Sequence, residues 1–112
     1  MSTALNMLKT TSDFRRMDKQ AQKFFAPAFV MQVLKTEEGA PFRLGLTVSR
    51  KVGNAVHRNR AKRRLREMVR TSASMPSGHD IVLIGRTGAL NVDFAVMQAD
   101  FEKGLKALGV RE

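Results

Sequence analysis

Cysteine is missing from all 112 residues of this chain. That excludes disulfides, thiolate nucleophiles and cysteine zinc sites together, and it fits a reducing cytoplasm. Tryptophan and tyrosine are missing too, so any aromatic contact with a partner falls to seven phenylalanines. No stretch approaches the ~18 consecutive apolar residues of a membrane span, and the opening MSTALNMLKTTSDFRRM lacks the apolar run of a signal peptide. The expectation is a soluble, cytoplasmic chain with no membrane partner. Acid is scarce as well: ten Asp or Glu stand against twenty Lys or Arg, a net charge of +10. An apolar share of 43% still supports a core. At this length one domain, residues 1–112, is the expected organisation.

The positive charge is concentrated. Residues 50–70, RKVGNAVHRNRAKRRLREMVR, hold nine Arg or Lys and one acid, Glu67, which leaves +8 in under a fifth of the chain. Like charges repel at short range, so such a run persists where a polyanion is the partner. Pairing within the segment cannot neutralise it, because Glu67 is alone. Arginine outnumbers lysine seven to two there, which suits bidentate phosphate forks and stacking on bases. Nucleic acid is the expected partner class.

The periodicity predicts a small α+β domain. Thr11, Ser12 or Asp13 can cap a short helix over about Asp13 to Gln20. Ala28–Thr36 alternates as a strand, Glu37–Pro41 is a turn, and Phe42–Ser49 is a second strand, expected to pair with the first as a hairpin. Both faces of the first strand are largely apolar, so one should meet the core and the other line something less ordinary. A break at Gly53-Asn54 precedes a long helix from Ala55 or Val56 to Thr71. At 100° per residue, Leu65, Met68, Val69 and Ser72 lie within about 80° of Ala61, while Asn59, Arg63, Arg66 and Arg70 fall opposite and Arg60 and Lys62 flank them. Asp80–Arg86 is a nearly continuous apolar run, typical of a central strand covered on both faces. Gly88–Asn91 reads as a loop, Asp93 as the cap of a final helix from Phe94 to about Leu108, and Gly109 as its stop. Gly104 weakens that helix by ~1 kcal/mol relative to Ala. The order is αββαβα, with helices packed on a small central sheet.

Few residues offer chemistry of their own. His57 and His79 are the only histidines, and without cysteine they form no metal motif. The aspartates are scattered, with no paired carboxylates spaced for two-metal nuclease chemistry. Ser49 has no sequence-adjacent base, so no catalytic residue is assigned. Gly53-Asn54 supports two readings, a strand-to-helix turn capped by Asn54, or a helix N-terminus offered to phosphate. Phe25, Phe42, Phe94 and Phe101 read most simply as core. Phe14, among Arg15, Arg16 and Lys19, has a second option, stacking on an unpaired base.

The stretch LGLTVSRKVGNAVHRNRAKRRLRE, residues 44–67, resembles the signature of the bacterial ribonuclease P protein component. Ser49-Arg50-Lys51-Val52-Gly53-Asn54-Ala55-Val56 precedes Arg58-Asn59-Arg60 and then Lys62-Arg63-Arg64-Leu65-Arg66. Asp13-Phe14, Phe29-Val30 and GHDIVLIGR near residue 80 add to the resemblance, which runs from about Leu8 to Leu108. It implies an RNA-binding subunit of a ribonucleoprotein endonuclease that removes 5′ leaders from precursor tRNA. The catalyst would be a large RNA, holding most of the required Mg2+, with no obligatory protein partner for this chain. The implied fold is that of the second domain of ribosomal protein S5, with a left-handed crossover around the basic helix, against the usual right-handed rule. The resemblance assigns the catalytic RNA to Arg50, Lys51, Asn54, Arg58, Asn59, Arg60, Lys62, Arg63, Arg64, Arg66 and Arg70. A cleft for the single-stranded leader would involve Phe14, Arg15, Asp18, Val30, Gln32 and Arg86. Asp18 and Gln32 stand where the family often has aromatics, which implies fewer stacked bases and more polar contacts. Asp18 has the alternative of sitting beside a hydrated metal ion. A general RNA-binding or ribosomal protein would share the charge without telling precursor from mature tRNA. A protein-only nuclease would need carboxylates that this sequence does not assemble.

Overall fold

The apolar run His79–Gly85 (β5) takes the middle of a five-stranded sheet whose order is β1-β4-β5-β3-β2. The computed structural model describes residues 6–7, 21–72 and 77–110. The expected first helix, with Phe14, Arg15 and Asp18, lies outside them. The strands are β1, Asn6–Met7; β2, Gln22–Phe25; β3, Phe29–Lys35; and β4, Arg43–Val48. β4 runs parallel to β5, and β3 runs antiparallel to it. Ile81, Val82 and Leu83 are buried whichever way they point. This is the environment that a strand without polar alternation requires.

The anticipated hairpin between the two strands flanking Glu37–Pro41 does not form. Both pair with β5 instead, β3 from Phe29↔Gly85 to Lys35↔His79 and β4 from Arg43↔Asp80 to Val48↔Gly85. The turn spans the entry of β5 rather than closing a ladder. Thr36 N donates to Gly78 O at 2.8 Å, and Gly78 N donates to Ala40 O at 2.7 Å. β5 thus slots between its two predecessors, and the β4-to-β5 connection runs through the basic helix.

Two helices cover one face of the sheet. α1 spans Ala55–Thr71 and α2 spans Phe94–Ala107. Ala61, Leu65, Met68 and Val69 of α1 and Met97, Phe101 and Leu105 of α2 join Phe29, Met31, Leu44, Ile81 and Leu83 in one core. Phe29 and Phe101 meet edge to face, centroids 6.4 Å apart and planes at 76°, a geometry that suits their quadrupoles. The predicted loop after β5 is a 3-10 turn, Thr87–Leu90. Asp93 stands at the N-cap of α2 but makes no side-chain capping bond, so its expected role is not realised.

Two strands, β1 and β2, escaped the sequence reading. β2 pairs antiparallel with β3, Phe24↔Met31 and Phe25↔Val30, and strand alternation sends its two phenylalanines to opposite faces. Phe24 turns inward against α2. A Cβ on Gly104 would fall 2.7 Å from its ring and 2.4 Å from the Met31 methyl. The glycine that weakens α2 locally is what lets that helix approach the sheet.

Candidate nucleic-acid interface

The helical phase of α1 divides its cations into distinct sets. Arg60, Arg63, Arg66 and Arg70 are exposed with Asn59, while Arg58 and Lys62 are half-buried at the margins of the core stripe. Glu67 lies 3.8 Å from Arg70, in a solvent-exposed pair at the far end of the face. Such a pair is worth little, and Arg60, Arg63 and Arg66 keep a strongly positive surface.

Arg64 behaves differently. Its guanidinium donates to Ala89 O at 2.7 Å and to Val92 O at 2.5 Å. It therefore ties α1 to the segment that leads into α2, and those donors are committed within the fold. The guanidinium thus has a structural role that the sequence reading did not give it. The signal was present in the sequence: Arg64 sits three residues after Ala61, only about 60° from it around the helix, inside the apolar sector.

The turn before α1 is locally determined. Arg50–Val52 form a 3-10 turn in which Ser49 Oγ accepts from Lys51 N at 3.1 Å, and the buried Val52 anchors it. Gly53 has φ +143°, and a Cβ there would fall 2.9 Å from the His57 side chain, so the position favours glycine. Asn54 Oδ1 accepts from His57 N at 3.1 Å, a side-chain N-cap. The capping reading of Asn54 is thus realised. Arg50 and Lys51 are left exposed beside the helix N-terminus.

Lys51 also reaches a second feature. A cleft of about 410 Å3 lies where the turn meets the end of β5, lined by Ser49, Lys51, Ile84, Arg86 and Thr87 among others. It brings two expected site residues, Lys51 and Arg86, to one concavity. Arg86 donates through one arm to Ala26 O at 3.0 Å, which fixes the guanidinium beside β2. From the cleft the outer face of the sheet continues through Ile84 to its cross-strand partner Val30. Gln32 lies on that face opposite Val82 but is only 4% exposed, so its amide offers a ligand almost no surface.

Phe25 corrects an expectation. Read from sequence as core, it is 67% exposed and lies beside Val30 on the outer face. Strand parity was the missing signal, since two successive phenylalanines in a strand cannot both point inward. His57 is exposed, and His79 Nδ1 lies 3.2 Å from Ser77 O. Among the described residues no three His, Cys, Asp or Glu side chains meet as a metal site.

Comparison with known proteins places these features in context. The family model described as Ribonuclease P matches residues 3–109. A ribonuclease P protein component of Gluconacetobacter diazotrophicus is 41% identical, covering 99% of this chain and 97% of the relative. One from Paramagnetospirillum magneticum is 37% identical over 97% of this chain and 86% of its own length. Among solved structures, the Staphylococcus aureus RNase P protein superposes with a TM-score of 0.80 at 33% identity, covering 97% of this chain and all of the other. The Thermotoga maritima RNase P protein gives 0.72, also at 33% identity, over 96% and 98% of the two chains.

Proposed function

The chain belongs to the ribonuclease P protein component family, and from that premise we propose that it binds the catalytic RNA of ribonuclease P through α1 and the 5′ leader of precursor tRNA through the outer face of its sheet. Membership implies a role in tRNA 5′ processing as a subunit of a tRNA-processing nuclease. The observation that carries the finer reading is the face of exposed Arg60, Arg63 and Arg66, turned away from the core stripe of the same helix. Arginine forks on that face neutralise phosphates and release counterions, which supports affinity without reading sequence.

The division of labour follows from the two surfaces. Phosphate repulsion opposes bringing a leader and a large RNA together. A protein with net charge +10 screens it and draws the substrate in. Arg50, Lys51 and the α1 arginines serve the catalytic RNA, with Arg58, Asn59 and Lys62 at the edges of that contact. Val30, Arg86 and the preceding Phe14 and Arg15 serve the leader, with Gln32 in the floor beneath it. Mg2+, held mainly by the RNA, supplies activation of the attacking water. The side chains of this protein bind and orient.

Reconstitution tests the proposal. The protein is added to the catalytic RNA at low magnesium, and cleavage of precursor tRNA is measured. Stimulation of cleavage by the RNA is the expected result. Cleavage by the protein alone overturns the reading. Binding to RNA without stimulation, and with equal affinity for precursor and mature tRNA, favours a general RNA-binding protein.

A further inference from the structure

We propose that Phe25 is a stacking platform for one unpaired base of the precursor's 5′ leader, placed at the outer rim of the cleft. The inference rests on the leader-binding reading above and extends it to a residue that the sequence pattern assigned to the core.

Three observations point to the same ligand. Among the described residues Phe25 is the one exposed large aromatic, at 67%, while its neighbour Phe24 packs against α2. Leaving a whole ring in water is unfavourable, and strand alternation alone does not demand a phenylalanine at the outer position. Second, the ring is not isolated. Phe25 pairs with Val30, and Val30 pairs with Ile84, so an apolar line crosses three strands and ends at the cleft lined by Ile84, Arg86 and Lys51. Third, the line is bordered by cations. Arg86 is held on the carbonyl of Ala26, the residue after Phe25, and Lys23 shares the outer face two residues earlier.

An exposed ring between cations matches single-stranded nucleic acid, whose bases offer π faces while its backbone carries one negative charge per nucleotide. A duplex is a poorer fit, because its base faces are already stacked. Gln32, opposite Lys23 on the next strand, has no ring and little exposure. Phe25 therefore provides an aromatic surface on a face otherwise served by Val30 and Ile84. The contact is sequence-tolerant, as the leaders of many precursors require, since every base presents a π face.

The absence of tryptophan makes the test direct. A Phe25→Trp protein carries a single indole, and in the complex with catalytic RNA its emission should be quenched by precursor tRNA bearing a leader of several nucleotides but not by mature tRNA. In the same complex Phe25→Ala and Phe25→Leu should each weaken binding of leader-bearing precursor about ten-fold, the equivalent of about 1.4 kcal/mol. Affinity for mature tRNA and for the catalytic RNA should stay unchanged. Wild-type affinity in both variants, an equal loss for mature tRNA, or no selective quenching overturns the proposal. The broader reading is judged on the wild-type complex alone. If that complex does not prefer leader-bearing precursor, both fall; if it does and Phe25→Ala is silent, only the role of Phe25 is lost.

Discussion

Arg43 and Asp80 face each other across the β4–β5 ladder, and the guanidinium holds the carboxylate with two hydrogen bonds, 2.9 Å from Nε and 2.6 Å from Nη2. The Asp80 side chain is 1% exposed, while Arg43 keeps 34%. Removing Arg43 takes a two-armed ion pair from a buried carboxylate near the start of β5. Arg43→Met should lower stability by about 3 kcal/mol, because it leaves a buried carboxylate without its fork. Urea denaturation measures this, and folded Arg43→Met should still bind the catalytic RNA like wild type.

Arg64 and Arg66 are two residues apart on α1, but only Arg64 is engaged with backbone carbonyls. Arg64→Ala should cost about 2 kcal/mol of stability through two lost charge-assisted bonds, with a modest effect on RNA affinity at temperatures where the protein stays folded. Arg66→Ala should do the reverse. Comparing melting temperature with RNA affinity for the pair separates the roles. Equal behaviour of the two variants contradicts the division.

Salt dependence counts phosphates. Each of Arg60→Ala, Arg63→Ala and Arg66→Ala should reduce the slope of log K against log salt by about 0.7 to 0.9, depending on whether the RNA contacted is single-stranded or duplex. Arg70→Ala should change it less, because Glu67 already sits 3.8 Å from that cation. Filter binding over a salt series gives the numbers.

Phe14→Ala should weaken leader-bearing precursor by about ten-fold relative to mature tRNA, since a base stack is worth ~1–3 kcal/mol. Competition binding against mature tRNA reads the difference. An unchanged ratio removes Phe14 from the leader contact.

Gly104→Ala sets two effects against each other. Helix propensity favours alanine by ~1 kcal/mol, but the new methyl would press on the Phe24 ring and the Met31 methyl, at 2.7 and 2.4 Å. Overpacking of that kind costs ~1–3 kcal/mol. A lower melting temperature is expected, and a higher one would mean that β2 yields.

Much of this arrangement was legible in residue order. The unbroken apolar stretch at β5 announced a strand covered on both faces, and the helical phase of 55–71 separated a core stripe from a cationic face. Partner choice between strands was not legible. Nothing local in Glu37–Pro41 distinguishes a hairpin turn from a connection that straddles a third strand, because the deciding bonds come from Gly78, more than thirty residues later in the chain. β2 was missed for a related reason. Four residues, QKFF, are too few to show a period, and only the register with β3 tells which phenylalanine points out. The structural role of Arg64 was missed although its phase was available, because charge was given more weight than angle.

The central position of β5 has a consequence for how the protein comes off the ribosome. β3 and β4 emerge first but do not pair with each other, so neither gains its main ladder until residues 79–85 are synthesised. Meanwhile the whole of the basic segment is already exposed, bearing a net +8. The nascent chain therefore waits with two strands that each lack their longer neighbour, and with a polycation beside a particle made largely of RNA. Long-range pairings of this kind close late and slowly. Truncated chains that end before His79 should give not a smaller domain but an unfolded, RNA-adhesive fragment.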